Sequence, residues 1–137
     1  MILVDSSVWI DYFNGADTPQ VARLDQLLDT DDLLIGDLIL LEVLRGFRRD
    51  ADHAAAEAEL LKYPVVPLLG VGEAQVAARR YRQLRKLGVR IRKPSDVVIA
   101  SYCITHAIPL LYVDRGFDPF VKHLGLLAAP TAAGGWS

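Results

Sequence analysis

The chain opens on an unbroken apolar run, Ile2-Leu3-Val4, which stops at Asp5-Ser6-Ser7 before apolar positions resume at Val8, Trp9 and Ile10. A run of this kind reads as a strand buried on both faces that delivers Asp5 to a turn. In an open parallel sheet, ligands sit beyond the carboxyl ends of the strands, so that turn is a place for chemistry. Ser6 and Ser7 ahead of an apolar-periodic segment equally fit a helix cap.

The same grammar repeats downstream. A helix over residues 7–13 is expected to end at Asn14-Gly15, and Thr18-Pro19 offers a cap and a first-turn proline for a second. Leu33-Leu34-Ile35-Gly36 predicts a second buried strand, after which Asp37 is expected to cap a nearly all-apolar helix over 38–47. A fourth helix over 51–62 stops at Tyr63-Pro64, and Pro67 marks the strand at 65–68 as a sheet edge or strand end. The helix at 72–87 carries alanines, Tyr81 and Leu84 on one side and arginines on the other, and Gly88 closes it. Ser95 is expected to cap the following buried helix, and Leu110-Leu111-Tyr112-Val113 is a last clear strand that ends on Asp114. Leu126-Leu127-Ala128 predicts a short edge strand, and residues 131–137, with Trp136, read as a flexible tail. Strand and helix alternating through short connections predict an α/β fold: a central parallel sheet of four or five strands, flanked by helices on both faces, in one domain over residues 1–130.

Composition narrows the class. At 137 residues and 52% hydrophobic, the chain can bury a real core, which argues against disorder. No apolar run reaches membrane-spanning length and no basic region precedes the first strand, so a soluble, unexported, cytoplasmic protein is expected. The single cysteine, Cys103, cannot form an internal disulfide and is expected to be a small core side chain. Net charge is only −2, yet Arg79, Arg80, Arg82, Arg85, Lys86, Arg90, Arg92 and Lys93 crowd eight of the fifteen basic residues into one short stretch. A face so basic suits a polyanion, because phosphate neutralisation dominates nucleic-acid affinity; a solvated helix face is the plain alternative.

Four acids stand where the fold would gather them. Asp5 and Asp114 end strands, Asp96 lies in the first turn of a helix, and Glu42 sits one turn inside another between Leu41 and Val43. Taken singly each has an ordinary explanation: a cap, a helix-dipole partner for Asp96, an ion pair with Arg45 for Glu42. Gathered together they would repel and take up protons, so a stable ionised cluster implies a divalent metal. All-oxygen ligands suit Mg²⁺ or Mn²⁺, and His53, His106 and His123 are not in a metal-ligand spacing. A carboxylate-held dication beside an arginine face is the equipment of phosphodiester hydrolysis.

These residues carry a resemblance. ILVDSSVWI at the start, Glu42 in LLEVLRGFR, Asp96 in KPSDVVIA and Asp114 in LYVDRGF together resemble the PIN-domain ribonucleases, most closely the VapC toxins of bacterial VapBC toxin-antitoxin pairs. The resemblance spans roughly residues 1–128 and implies a PIN-like fold and an Mg²⁺- or Mn²⁺-dependent endoribonuclease. It implies Asp5, Glu42, Asp96 and Asp114 as the catalytic and metal-holding quartet, with Ser6 or Ser7 as the hydroxyl beside it. It further implies a homodimer, a cognate VapB-type antitoxin, and structured RNA, often tRNA, as substrate. Arg82, Arg85, Arg90, Arg92 and Lys93 are the candidate RNA-binding residues. The chain departs from the family pattern at Gly116, where relatives often carry a second acid two residues after Asp114, and at Val113, where many are polar. Asp118 is the candidate substitute on that side.

Other readings fit less well. A phosphatase working through an aspartyl phosphate would want a second Asp two residues after Asp5, where Ser7 stands, and a receiver domain would want an acidic pair before the strand end. A PIN-like module that binds RNA or protein without cutting is the remaining alternative, against which stand four intact acids.

Overall fold

A computed structural model describes residues 1–131. The expectations for the tail, including Trp136, therefore fall almost entirely outside the described residues. Four strands, β1 (Ile2–Val4), β2 (Leu33–Gly36), β3 (Val65–Val66) and β4 (Leu110–Leu111), form one sheet in the order β3-β2-β1-β4. Every pairing is parallel, with Leu3 opposite both Leu34 and Leu110. The order reverses at β1: the chain builds outward through β2 to β3, then returns to lay β4 on the other side. That reversal puts the switch point of the sheet at the carboxyl end of β1, where Asp5 follows.

The strands are short and wholly apolar because both faces are covered. β1 and β2 are buried throughout. The helices are α1 (Ser6–Phe13), α2 (Pro19–Leu27), α3 (Asp37–Leu44), α4 (Asp50–Leu60), α5 (Val71–Lys86), α6 (Pro94–His106) and α7 (Asp118–Leu124). They pack in two groups, α1 on α2 and α3 with α3 on α4, and α5 on α6 and α7. One core of buried residues runs from Ile2 to Ala129, and Cys103 lies in it as a free, buried thiol. No helix among the described residues is long and apolar enough to cross a membrane.

Local chemistry sets most boundaries. Asn14 ends α1, and Thr18 caps α2 by accepting the Val21 N–H at 3.1 Å, with Pro19 at the first position. Several expectations are corrected. Gly36, not Asp37, is the cap of α3; Asp37 turns its carboxylate to the Leu38 N–H at 2.8 Å and the Leu68 N–H at 3.0 Å, stitching β2 to the segment after β3. Leu68 closes over Gly36 so tightly that a Cβ there would collide with its side chain. Helix α3 stops at Leu44, short of Phe47, and α6 starts at Pro94, so Lys93 takes the cap position and Ser95 falls inside the helix. Proline's fixed φ pre-forms a first helical residue, which is why the start moves ahead of Ser95. Strand β4 ends at Leu111, so Asp114 lies beyond it, and the expected fifth strand is a single bridge from Leu110 to Ala128.

Candidate active site

Asp5 follows β1 directly, and its N–H donates to the Leu111 carbonyl at 2.9 Å, which pins it between β1 and β4. Its Oδ2 accepts the Ser7 N–H at 3.1 Å and the Ser7 hydroxyl at 2.5 Å, so Asp5 is also the cap of α1. The two explanations offered by the sequence are thus one arrangement, in which the helix N-terminus orients the carboxylate. Burial pushes the Asp5 carboxyl above its ordinary value, with the Ser7 bonds opposing and the charge of Glu42 adding to the rise.

Glu42 approaches from α3, where the Ser6 hydroxyl donates to its Oε1 at 3.2 Å. Ser6 takes the place of the ion pair with Arg45 that the spacing had offered. Consecutive serines therefore reach two different acids, Ser6 to Glu42 and Ser7 to Asp5.

Asp96, in the first turn of α6, is 6% exposed. Its carboxyl is pushed up to about 7, first by burial, then by the negative charges of Asp114 and Asp5 and more weakly of Glu42, with Lys93 opposing. The charges of three other acids therefore reach Asp96, and of these Asp114 lines the same cleft. Asp114 enters from the loop after β4, where it caps a 3-10 turn at Arg115–Phe117. Its Oδ1 accepts the Gly116 N–H at 2.9 Å and its Oδ2 accepts the Lys93 ammonium at 2.8 Å. Those partners, Lys93 foremost, hold the Asp114 carboxyl below its ordinary value. The Val113 N–H donates to the Ser7 hydroxyl at 3.4 Å, joining the β4 loop to the turn after β1.

Gly116 keeps the hollow open. A Cβ on it would stand 2.8 Å from Asp96 Oδ2 and 3.2 Å from Asp114 Oδ1, inside the gap between the two carboxylates. The surrounding cleft, about 400 Å³, is lined by Asp96, Asp114 and Gly116 together with Arg90, Arg92, Lys93 and Arg115.

The donors suit a hard dication. All four acids offer oxygen, and Gly116 leaves a space between two of them, while burial and the neighbouring acids raise the Asp96 carboxyl to about 7. Among the described residues no three Asp, Glu, His or Cys side chains stand close enough to form a finished cage. Their oxygens serve Ser6, Ser7, Gly116 and Lys93, and Mg²⁺ keeps several waters and needs only one or two carboxylates.

The basic residues divide. Arg90, Arg92 and Lys93 rim the acidic hollow, whereas Arg82 and Arg85 line a neighbouring cleft on α5 with Lys86. Arg85 and Arg90 share a further cleft with Tyr81, so a basic band runs on from the acids. Arg80, on the side read as solvated, instead turns inward and donates to the Ser101 carbonyl at 2.8 Å, the Ser101 hydroxyl at 2.7 Å and Thr105 Oγ1 at 2.6 Å. Asp118 is not brought to the hollow: it accepts the Tyr112 hydroxyl at 3.0 Å and lies 3.4 Å from Arg115 Nε. Arg115, 92% exposed on the rim, is the residue that sequence reasoning passed over. Its position directly after Asp114 was the available signal.

The PIN domain family matches residues 2–121 of the chain. A protein called VapC ribonuclease Mb1587, from Mycobacterium bovis, is 28% identical over 131 residues, covering 94% of this chain and 98% of its own. Among solved structures, VapBC2 from Rickettsia felis, bound to a DNA fragment from its promoter, superposes with a TM-score of 0.73 at 16% identity over 94% of this chain and 98% of that one. VapC20 from Mycobacterium tuberculosis, described as a toxin that cleaves the sarcin-ricin loop, gives 0.63 at 17% identity over the same shares.

Proposed function

The chain belongs to the PIN domain family, and on that premise we propose that it is a VapC-type endoribonuclease toxin, dependent on Mg²⁺ or Mn²⁺, that hydrolyses phosphodiester bonds in structured RNA such as tRNA. The observation that carries this reading is the cleft where Gly116 leaves a gap between the Asp96 and Asp114 carboxylates, ringed by Arg90, Arg92, Lys93 and Arg115.

Asp5, Glu42, Asp96 and Asp114 would hold the metal, which when bound supplies an activated water and offsets charge gathering on the phosphate. The chain's own groups prepare that chemistry. Ser7 orients Asp5 through two bonds to one oxygen, and the adjacent Ser6 gives Glu42 a single bond. Gly116 keeps a side chain out of the space between Asp96 and Asp114. Arg90, Arg92, Lys93 and Arg115 on the rim would draw the scissile phosphate in, and Arg82 and Arg85 would hold backbone farther along the same strand. Folded RNA presents its phosphates in a fixed pattern, which a rigid basic band can select.

A VapB-type antitoxin and a homodimer complete the reading. Support for the antitoxin is the likeness of fold to a VapBC complex, together with an acidic hollow that accepts a cationic side chain, as Lys93 shows. The cytoplasm is where such a partner and such a substrate meet.

The reading is tested by incubating the protein with total tRNA and mapping the 5′ ends. Discrete new ends that require Mg²⁺ or Mn²⁺ and vanish in EDTA are expected. Intact RNA under all conditions, or cutting that EDTA leaves untouched, refutes it.

A further inference from the structure

We infer that Lys93 is an internal counter-cation that competes with the divalent metal for Asp114 and so sets how much metal the site requires. The inference rests on the metal-dependent reading above.

Three observations carry it. The Lys93 ammonium sits 2.8 Å from Asp114 Oδ2, while Asp114 Oδ1 is committed to the Gly116 N–H at 2.9 Å, so the ammonium occupies the oxygen that Asp114 would offer an ion. The backbone aims it there. Lys93 precedes Pro94, which keeps it extended at φ −113 and ψ 115, and its carbonyl accepts the Asp96 N–H at 3.0 Å, locking its Cα to the start of the helix that bears Asp96. Finally, among the described residues Lys93 is the one rim cation paired with an acid of the hollow, since Arg115 pairs outward with Asp118.

An exposed ion pair contributes little to stability, and the Lys93 side chain is 61% exposed, so it can leave without disturbing the core. Its consequence is electrostatic. With Lys93 in place the hollow carries one less negative charge, which lowers its attraction for a dication. When Asp114 turns to the metal, the ammonium is released among Arg90, Arg92 and Arg115, where an RNA phosphate is its next partner. Lys93 is thus a positioning residue that links metal loading to substrate binding.

The test is Mn²⁺ binding to the full chain, measured by calorimetry without RNA, for the wild type, Lys93→Met, Lys93→Gln and Lys93→Arg. Removing one unit charge about 6 Å from a dication should tighten Mn²⁺ binding roughly tenfold in the two neutral variants. Lys93→Arg should stay within about twofold of wild type, and the gain should shrink in high salt. Neutral variants that bind Mn²⁺ as the wild type does, or more weakly, overturn the inference while leaving the metal site standing. A wild-type protein that binds no Mn²⁺ overturns both the inference and the reading beneath it.

Discussion

Gly116 faces Asp96 across a gap that a single methyl group would close: a Cβ at Gly116 would stand 2.8 Å from Asp96 Oδ2. That distance is shorter than real Cβ contacts, so any side chain there must push one of the two carboxylates aside. Gly116→Ala is expected to leave the fold intact, because the displaced groups border a cleft and not the core. A misplacement of this size at reacting groups costs on the order of a hundredfold in rate. RNA cleavage by Gly116→Ala at wild-type speed, with an unchanged melting temperature, would show that the gap has no role.

The raised Asp96 carboxyl makes a claim about pH. Its ordinary value is 3.8 and its value in the folded chain is about 7, so the fold holds this proton more tightly than the unfolded chain does. Asp96 therefore destabilises the metal-free protein increasingly as pH rises from about 4 to 7, and fully above that. Asp114, whose value is lowered, runs the other way: its contribution is present above the ordinary value and lost on acidification. Asp96→Asn should raise the metal-free melting temperature by several degrees near pH 8 and hardly at all near pH 4. Equal shifts at both pH values would contradict the assignment.

Ser7 gives Asp5 two hydrogen bonds, one from its N–H and one from its hydroxyl. Ser7→Ala removes the second and leaves the helix cap. Loss of a group that orients a ligand typically costs about 10- to 100-fold in metal affinity or activity. The variant should show that loss in Mn²⁺ titration, beyond a stability cost of about 1–3 kcal/mol from the bonds its hydroxyl makes to Asp5 and the Val113 N–H. Unaltered Mn²⁺ affinity would reduce Ser7 to a capping residue.

Neighbouring arginines on α5 should behave as opposites. Arg80 is spent on Ser101 and Thr105 of α6, so Arg80→Ala should cost about 1–3 kcal/mol in denaturant unfolding and leave the salt slope of RNA binding alone. Arg82 and Arg85 line an open cleft, so the double variant Arg82→Ala, Arg85→Ala should keep its stability. It should weaken RNA binding and flatten the dependence of affinity on salt. The reverse pattern would mean that the basic band has been drawn on the wrong face.

What the sequence made legible follows from how each feature is encoded. Strands β1 and β2 are buried on both faces, and a run such as Leu33-Leu34-Ile35-Gly36 has few other uses, so the parallel sheet could be read directly. Asp5 and Asp114 were legible as acids that follow apolar strands, whereas Asp96 in a helix first turn and Glu42 inside a helix each had an ordinary explanation as well. Element ends were less so. Asp37 resembles a cap, yet its carboxylate is drawn to the Leu68 N–H, a partner 31 residues away that no local pattern reveals. Arg80 could not be told from Arg79 or Arg82 by type; only the packing of α5 on α6 gives it Ser101 and Thr105. Lys93 was read as one more positive charge, although its place just before Pro94 and three residues from Asp96 already constrained where it could reach.

The central claim is that four acids distant in sequence act together by holding a divalent cation against an RNA backbone. It is tested most directly by measuring RNA cleavage by wild type and Asp96→Asn, both verified as folded, in EDTA and again after Mg²⁺ is restored. The account predicts that the wild type falls silent in EDTA and recovers with Mg²⁺, while Asp96→Asn binds RNA but stays silent throughout. Cleavage that persists in EDTA, or that survives in Asp96→Asn at the wild-type rate, would contradict it.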